Sequence, residues 1–306
     1  MSRSILGFIA RLVFVSFAVV TLVFLLQRLL PGNPADAVLG ADASWSDKLR
    51  WLEAQGLDRP LHHQYLEYLK ALLRGDFGQR WVDGKPVAPL IASRFLETVR
   101  LAICALMVSL SCAFFFGFLG ALRAGTRTDR LLAIISLLFV SAPTFITGTA
   151  MLWIFSVWLD LLPLTGSKGW LSLVLPAFVL GITLAAVTGR MLRSSLIETL
   201  SQDFIRTAYS KGLPRLRVVG VHALRNALLP TITLFGLQVG GLLSGAIITE
   251  QVFTWPGLGT LMMEAVSQRD YNLLSGCVVV LAIVQVCAGA LVDLLHTLVD
   301  PRVVSE

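Results

Sequence analysis

The chain has 306 residues, of which 56% are apolar and 14% charged, and it carries a net charge of +6. A soluble domain carries about 25% charged residues, so this chain has too few to cover a water-exposed surface. A disordered tail, a collagenous repeat, a disulfide-stapled module and most soluble enzymes are excluded. The basic excess lies between hydrophobic stretches, which points to orientation in a membrane rather than to nucleic acid.

A bilayer core of roughly 30 Å needs about 20 apolar residues in a helix. The first candidate span, Leu12–Leu26, lengthens to Ile5–Leu30 if Arg11, Gln27 and Arg28 reach toward the interfaces. It also has marks of a signal peptide, with Arg3 ahead of the apolar centre and Ala35-Asp36-Ala37 after it. Arg28 and Pro31 stand between that centre and the cleavage-like site, so the span is expected to be retained. The next segment, 31–95, is polar. Within it Pro60 can open a helix that Gly75 closes, with Leu61, Tyr65, Leu69 and Leu72/Leu73 on one face. That amphipathic helix is expected at the outer mouth, either resting on lipid or docking.

Five further stretches lack any charged residue: Leu101–Leu122, Leu131–Leu159, Gly169–Gly189, Asn226–Thr249 and Tyr271–Val292. Lipid offers backbone amides no partner, so each must be helical. The expected fold is all-α and polytopic, with about six spans: a first transmembrane helix over 1–30, the outer segment over 31–95 and a five-helix core over 96–306. Lys and Arg crowd two alternate connections, Arg123/Arg127/Arg130 and Arg190 through Arg225, while the opposite short loops hold only Lys168 and Arg269. The crowded side is expected to be cytoplasmic, together with both termini.

Chemical machinery is sparse. Cys104, Cys112, Cys277 and Cys287 lie within apolar spans and read as small hydrophobes. His62 and His63 are adjacent and expected to point apart, and His222 and His296 stand alone, so no metal site is expected. Gly84-Lys85 lacks the residues of a phosphate-binding loop on either side. An ion-driven carrier would bury acidic or His residues in its spans, and here Asp160 and Asp293 sit near ends. Pro143 and Pro176 invite kinks. Gly236, Gly240, Gly241 and Gly245 give the fifth span small-residue faces for close packing or a moving seam. Gln238 and Thr183 are polar positions in spans, each expected to bond a neighbouring helix.

The stretch Asp203–Pro230 is too polar to enter the core and too patterned for a linker. Asp203 suits the first turn of a short helix, Phe204, Ala208 and Lys211 fall on one face, and Gly212 offers a left-handed stop before Leu213 and Pro214. A helix held crosswise between spans is a handle for a soluble partner.

Here the chain resembles the inner-membrane permease subunits of ABC importers, in the dipeptide/oligopeptide/nickel branch. Its IRTA-x-x-KGL, Ile205–Leu213, looks like the branch's loop signature, although Arg206 and Thr207 replace the usual Glu and Ala before Ala208. LVFLLQRLLPGNPAD (22–36), GLDRPLHHQYLEYL (56–69), RGDFG (74–78), HALRNALLP (222–230), EQVFTWPGLG (250–259), RDY (269–271) and VDPR (299–302) are similar to its blocks, in order. Asn272 stands where Pro often follows RDY.

The resemblance implies a type I importer permease fold with a cytoplasmic coupling loop over 193–229. It implies a homologous second permease, two cytoplasmic ATPases that use ATP and Mg, and an extracytoplasmic solute-binding protein. It makes Asp203, Phe204, Arg206, Thr207, Ala208, Lys211, Gly212 and Leu213 the coupling residues, with Phe204 and Ala208 as the apolar contact. The chain itself would be a non-catalytic transport subunit of a bacterial inner membrane, binding no cofactor. Peptides are the expected cargo, with nickel or a metal chelate as the alternative; an ion-coupled carrier is the reading from another class.

Overall fold

The computed structural model describes residues 2–29, 34–40, 42–164, 166 and 169–299. Pro31, Lys168 and Asp300-Pro301-Arg302, used above, lie outside the described residues, as do the side chains of Gly240, Gly245 and Asp293. In chain order the helices are α1 (Ser2–Leu29), α2 (Pro34–Leu39), α3 (Trp45–Ala54), α4 (Leu61–Leu73), α5 (Val87–Leu122), α6 (Arg127–Ser141) and α7 (Thr144–Leu152). They continue with α8 (Leu171–Leu200), α9 (Asp203–Ser210), α10 (Arg215–Arg217), α11 (Leu224–Val252), α12 (Leu258–Ser267) and α13 (Tyr271–Val299). Two π-helical turns, Trp153–Trp158 and Val218–Ala223, prolong α7 and join α10 to α11.

Among the described residues four helices are long and apolar enough to cross a membrane, and five if α6 and α7 count as one broken span. The all-α polytopic expectation therefore holds. The stretch Leu131–Leu159 differs from expectation, because it is broken rather than kinked, with its halves 107° apart. A residue before proline is pushed from helical to extended geometry; Ala142 sits at φ −81°, ψ 128°, and α7 restarts after Pro143. Pro176 does not interrupt α8, and Pro230 does not interrupt α11. The helical run that begins after Pro214 passes directly into α11 and continues to Val252.

By internal contacts the chain forms two units, Met1–Thr98 with Pro256–Cys287, and Val99–Trp255 with Ala288–Glu306. In the first, α4 is no free lipid-surface helix. Tyr65 OH shares a 2.6 Å hydrogen bond with Thr21 Oγ1 of α1, and Tyr68 OH one of 2.6 Å with Ser275 Oγ of α13. Both tyrosine rings pack on Phe24. The inward face is thus Gln64, Tyr65 and Tyr68, whereas Leu61 and Leu73 of the expected face are exposed. Gln64 staples the preceding turn by donating from Nε2 to the Leu57 and Arg59 carbonyls. Packing of Val87 and Ile91 on Leu258, Leu261, Leu273 and Cys277 supplies the apolar core of this unit.

The RDY block is the turn that joins α12 to α13. Arg269 takes a left-handed φ of 53° and ends α12. Asp270 then caps α13, its Oδ1 accepting from Leu273 N at 3.1 Å, while Oδ2 accepts from Trp81 N at 3.0 Å. Burial raises this carboxyl above the usual range, against the pull of those two amides and of Arg80. Tyr271 packs edge-on against Trp81, which packs edge-on against Trp51. Asp270→Ala leaves the buried Leu273 N–H and the part-buried Trp81 N–H without acceptors, at a cost of about 1–3 kcal/mol. The expected result is faster hydrogen exchange at the Trp81 and Leu273 amides; unchanged protection at both would show that Asp270 does not secure them.

In the second unit α8 is the central helix. It is 56% buried along its apolar stretch, against 28% for each of the other three long spans. It meets α6, α7 and α11, and it meets α5 through a seam of small residues. A Cβ on Gly181 would lie 2.5 Å from the Ala105 carbonyl oxygen, one on Gly117 2.7 Å from the Gly189 oxygen, and one on Gly189 3.1 Å from the Ala113 oxygen. α5 and α8 therefore meet along a close seam. Gly241 in α11, from the expected set, has open space around it. Gln238 of α11 accepts from Thr188 Oγ1 of α8 at 3.4 Å, as expected of a polar span residue, while Thr183 bonds its own helix at the Val179 carbonyl.

Candidate functional site

The candidate site is α9 and its turns. α8 ends at Leu200, where the Ser201 amide and hydroxyl both donate to the Glu198 carbonyl. Gln202 is extended and its carbonyl accepts the Ile205 amide at 3.1 Å, which starts α9. Asp203 stands in the first turn and complements the exposed N–H groups there. At the other end Gly212 takes φ +78°. Its amide donates to the Tyr209 carbonyl at 2.9 Å, and the Leu213 amide folds back to the Ala208 carbonyl at 3.4 Å. This paired arrangement is the left-handed stop that Gly212 predicts. Pro214 then precedes α10.

One face of α9 belongs to the chain's own core. Ile205 and Ala208 are 2% and 8% exposed and pack with Ala121 of α5, Leu192 and Leu196 of α8, and Val218, Ala223 and Ala227 of the helical run that follows. Leu213 packs against the same cluster. Burying one Ile side chain stabilises by roughly 1.5–3 kcal/mol, so these contacts fix α9 to three helices. Ile205 was not among the residues marked in the sequence, where the eye falls on Phe204 and Ala208. The geometry reverses Ala208's assigned surroundings: it faces inward and has no surface to offer a partner.

The other face is free. Phe204 and Tyr209 are 44% and 43% exposed, and Asp203, Arg206, Thr207 and Lys211 stand beside them, also exposed. Asp203 and Arg206 approach to 3.5 Å, but both side chains are in solvent and such a pair contributes little. Arg215, Arg217 and Arg225 are exposed nearby in the chain, and so is Leu216. The free surface is therefore two aromatic rings and an apolar side chain amid net positive charge.

A half-buried ion pair ties α6 to the helix that leads into α9. Arg193, two turns before the end of α8, donates from Nε to Asp129 Oδ1 at 2.6 Å and from Nη2 to Oδ2 at 2.8 Å. Asp129 Oδ2 also accepts from the Gly125 amide at 2.9 Å. Asp129 lies in the first turn of α6, so the pair clamps α6 to α8. In the sequence Arg193 reads only as one of many basic residues; a partner 64 positions away carries no periodic signal.

Outside α9, His62 and His63 are exposed with ring centroids 4.5 Å apart and planes tilted by 40°, so they lie together rather than diverge. Cys277 is buried, Cys104 and Cys112 are partly buried and Cys287 is exposed, all as free thiols.

Residues 113–305, a stretch that contains all of α9, match the family described as binding-protein-dependent transport system inner membrane component. The chain belongs to this family. Over 303 residues this inner membrane component is 38% identical to the glutathione transport system permease protein GsiC of Escherichia coli (strain K12), covering 98% of this chain and 97% of that one. Its identity to GsiC of Salmonella typhimurium (strain LT2) is 38% over 301 residues, with 98% and 97% covered. Its fold is similar to the crystal structure of an amino acid ABC transporter with histidines, at a TM-score of 0.55 and 12% identity, over 68% of this chain and 93% of that chain. That last likeness speaks to fold alone. The inner membrane component is a permease subunit of an ABC importer, and the likeness seen in its sequence blocks extends over the whole chain.

Proposed function

We propose that this permease subunit imports short peptides of the glutathione kind, and that α9 is the helix through which a partner ATPase drives it. The cargo reading rests on relatives named for glutathione transport at 38% identity over nearly the full length; glutathione is a tripeptide, and the nickel alternative is not favoured. The coupling reading rests on one observation. α9 is bolted to α5, α8 and the α10–α11 run by Ile205, Ala208 and Leu213, while Phe204 and Tyr209 stand free among Arg206 and Lys211.

In this reading the basic connections face the cytoplasm of a bacterial cell, with both termini on that side. Two ATPases, binding ATP and Mg, take the free face of α9 into a cleft. Phe204 fills an apolar recess, Arg206 and Lys211 meet acidic groups, and Gly212 holds the turn. A second permease completes the pathway and an extracytoplasmic binding protein delivers the solute. Closure of the ATPases pulls α9, and its anchors pass the movement to α8 and α11. ATP shifts the equilibrium by the difference in its affinity for the two conformations.

Phe204→Asp tests the coupling without touching the core. Losing an aromatic anchor at an interface costs about 2–4 kcal/mol, so binding of the ATPases and peptide uptake are expected to fall by at least about tenfold. Insertion and thermal stability of the permease should not change. Ala208→Arg, by contrast, is expected to lower the stability of the subunit itself. Normal uptake and normal ATPase co-purification with Phe204→Asp would remove α9 from the coupling path.

A further inference from the structure

In the first unit, α1, α4, the 55–57 and 76–81 turns and the start of α13 line a half-open cavity of about 240 Å³. Ligand pockets for drug-sized molecules run from about 300 to 1,000 Å³, so this one suits a smaller guest. Arg28 lines it. The guanidinium lies over the Phe24 ring at 4.9 Å and donates from Nε to Gln64 Oε1 at 2.9 Å. Arg28 is half-buried there, so its guanidinium brings a positive charge to the cavity. Trp81 lines the same cavity, and its buried Nε1 has no hydrogen-bond partner among the described residues. The Trp81 indole N–H therefore has nothing to receive it beside the Arg28 charge, and an unpaired buried donor is costly.

Two carboxylates border the same space. Glu67 spends one oxygen on Arg59 Nη1 at 2.8 Å, and Asp76 spends one on the Gly78 amide at 2.8 Å. Each keeps a second oxygen. A polyanion is disfavoured by that pair and a bare cation by Arg28. A small molecule with one oxyanion and a nearby ammonium satisfies both halves.

We propose that this cavity binds a small zwitterion, its oxyanion held by Arg28 and Trp81 and its ammonium by Glu67 and Asp76. Two sources carry that chemistry, a free dipeptide and the phosphoethanolamine headgroup of a lipid. The site does not depend on which solute the importer moves, and its failure would leave the reading of α9 untouched, because that reading is measured by uptake and ATPase binding.

The test is equilibrium dialysis of the purified full-length chain in maltoside micelles against four probes: Ala-Ala, Ala-Ala amide, N-acetyl-Ala-Ala and phosphoethanolamine. At least one of the two zwitterions is expected to bind. If Ala-Ala binds, capping either end should weaken it at least tenfold. A preference for phosphoethanolamine assigns the site to lipid, and a preference for Ala-Ala assigns it to solute. Arg28→Gln should weaken the bound zwitterion at least tenfold, whereas Lys70→Gln, on the exposed side of α4, should not. If Arg28→Gln fails to fold, the capped probes on the unaltered chain still decide the matter for a peptide, and phosphocholine in place of phosphoethanolamine, which lacks the N–H donors, does so for a lipid. Absence of binding by both zwitterions, or equal binding of charged and capped forms, overturns the proposal.

Discussion

Gly181→Ala is expected to prevent the α5–α8 pair from closing. The added methyl would sit 2.5 Å from the Ala105 carbonyl oxygen and 2.9 Å from Val108 Cβ. The first is backbone inside a long helix and cannot step aside, so the helices must separate along the whole seam. Overpacking a core typically costs about 1–3 kcal/mol, and spreading a span interface adds lost van der Waals contact, which in lipid is a main source of helix association. The measured outcome is a clearly lower unfolding temperature in detergent and less folded protein in the membrane. Gly241→Ala, on a helix face with open space, is the control. There Ala gains about 0.5–1 kcal/mol of helix propensity, so stability should hold or rise. Equal stability of the two variants would show that the seam is not close-packed in the membrane.

Arg193→Ala is expected to be the second large loss. It strips a bidentate partner from Asp129, whose side chain is 6% exposed, and leaves a carboxylate with only the Gly125 amide to receive. Breaking a buried pair costs about 3–5 kcal/mol; Arg193 is 35% exposed at its side chain, so water softens the effect to about 2–3 kcal/mol. Removing both charges with Asp129→Asn and Arg193→Leu should recover much of it, because no orphaned ion remains. Thermal melts of Asp129→Asn, of Arg193→Leu and of the double variant form a cycle that measures the coupling. A double variant as unstable as the sum of the singles would mean that the pair does not act together.

Spans, helical class and the α9 turn were legible because they rest on local rules. Apolar length marks the spans, and Gly212 before Leu213-Pro214 marks a helix stop whatever surrounds it. Other features depend on what lies across space. Gly117, Gly181 and Gly189 make a close α5–α8 seam that the sequence did not single out, while of the α11 glycines it did single out, Gly241 has open space around it. A small-residue face shows that a helix can be approached closely; it does not show that another helix is there. Pro143 was visible as a kink, but the size of a 107° break follows from how α6 and α7 each pack on α8, and no local rule contains that. In α9 the two adjacent apolar residues Phe204 and Ile205 look interchangeable in sequence. Only the cluster around Leu192 and Val218 decides that Ile205 goes in and Phe204 stays out. α4 was half legible: its period was right, but the inner stripe is rotated toward Gln64 and Tyr68, where α1 and α13 offer hydroxyl partners.

The two-faced build of α9 separates what keeps the subunit intact from what it shows to others. Because Ile205, Ala208 and Leu213 hold the helix in register, the side chains of Phe204, Arg206, Thr207 and Lys211 can drift or be rewritten with little penalty to the host. On the coupling reading proposed above, exchanging those four surface residues would re-address the importer to a different motor while leaving its own fold intact.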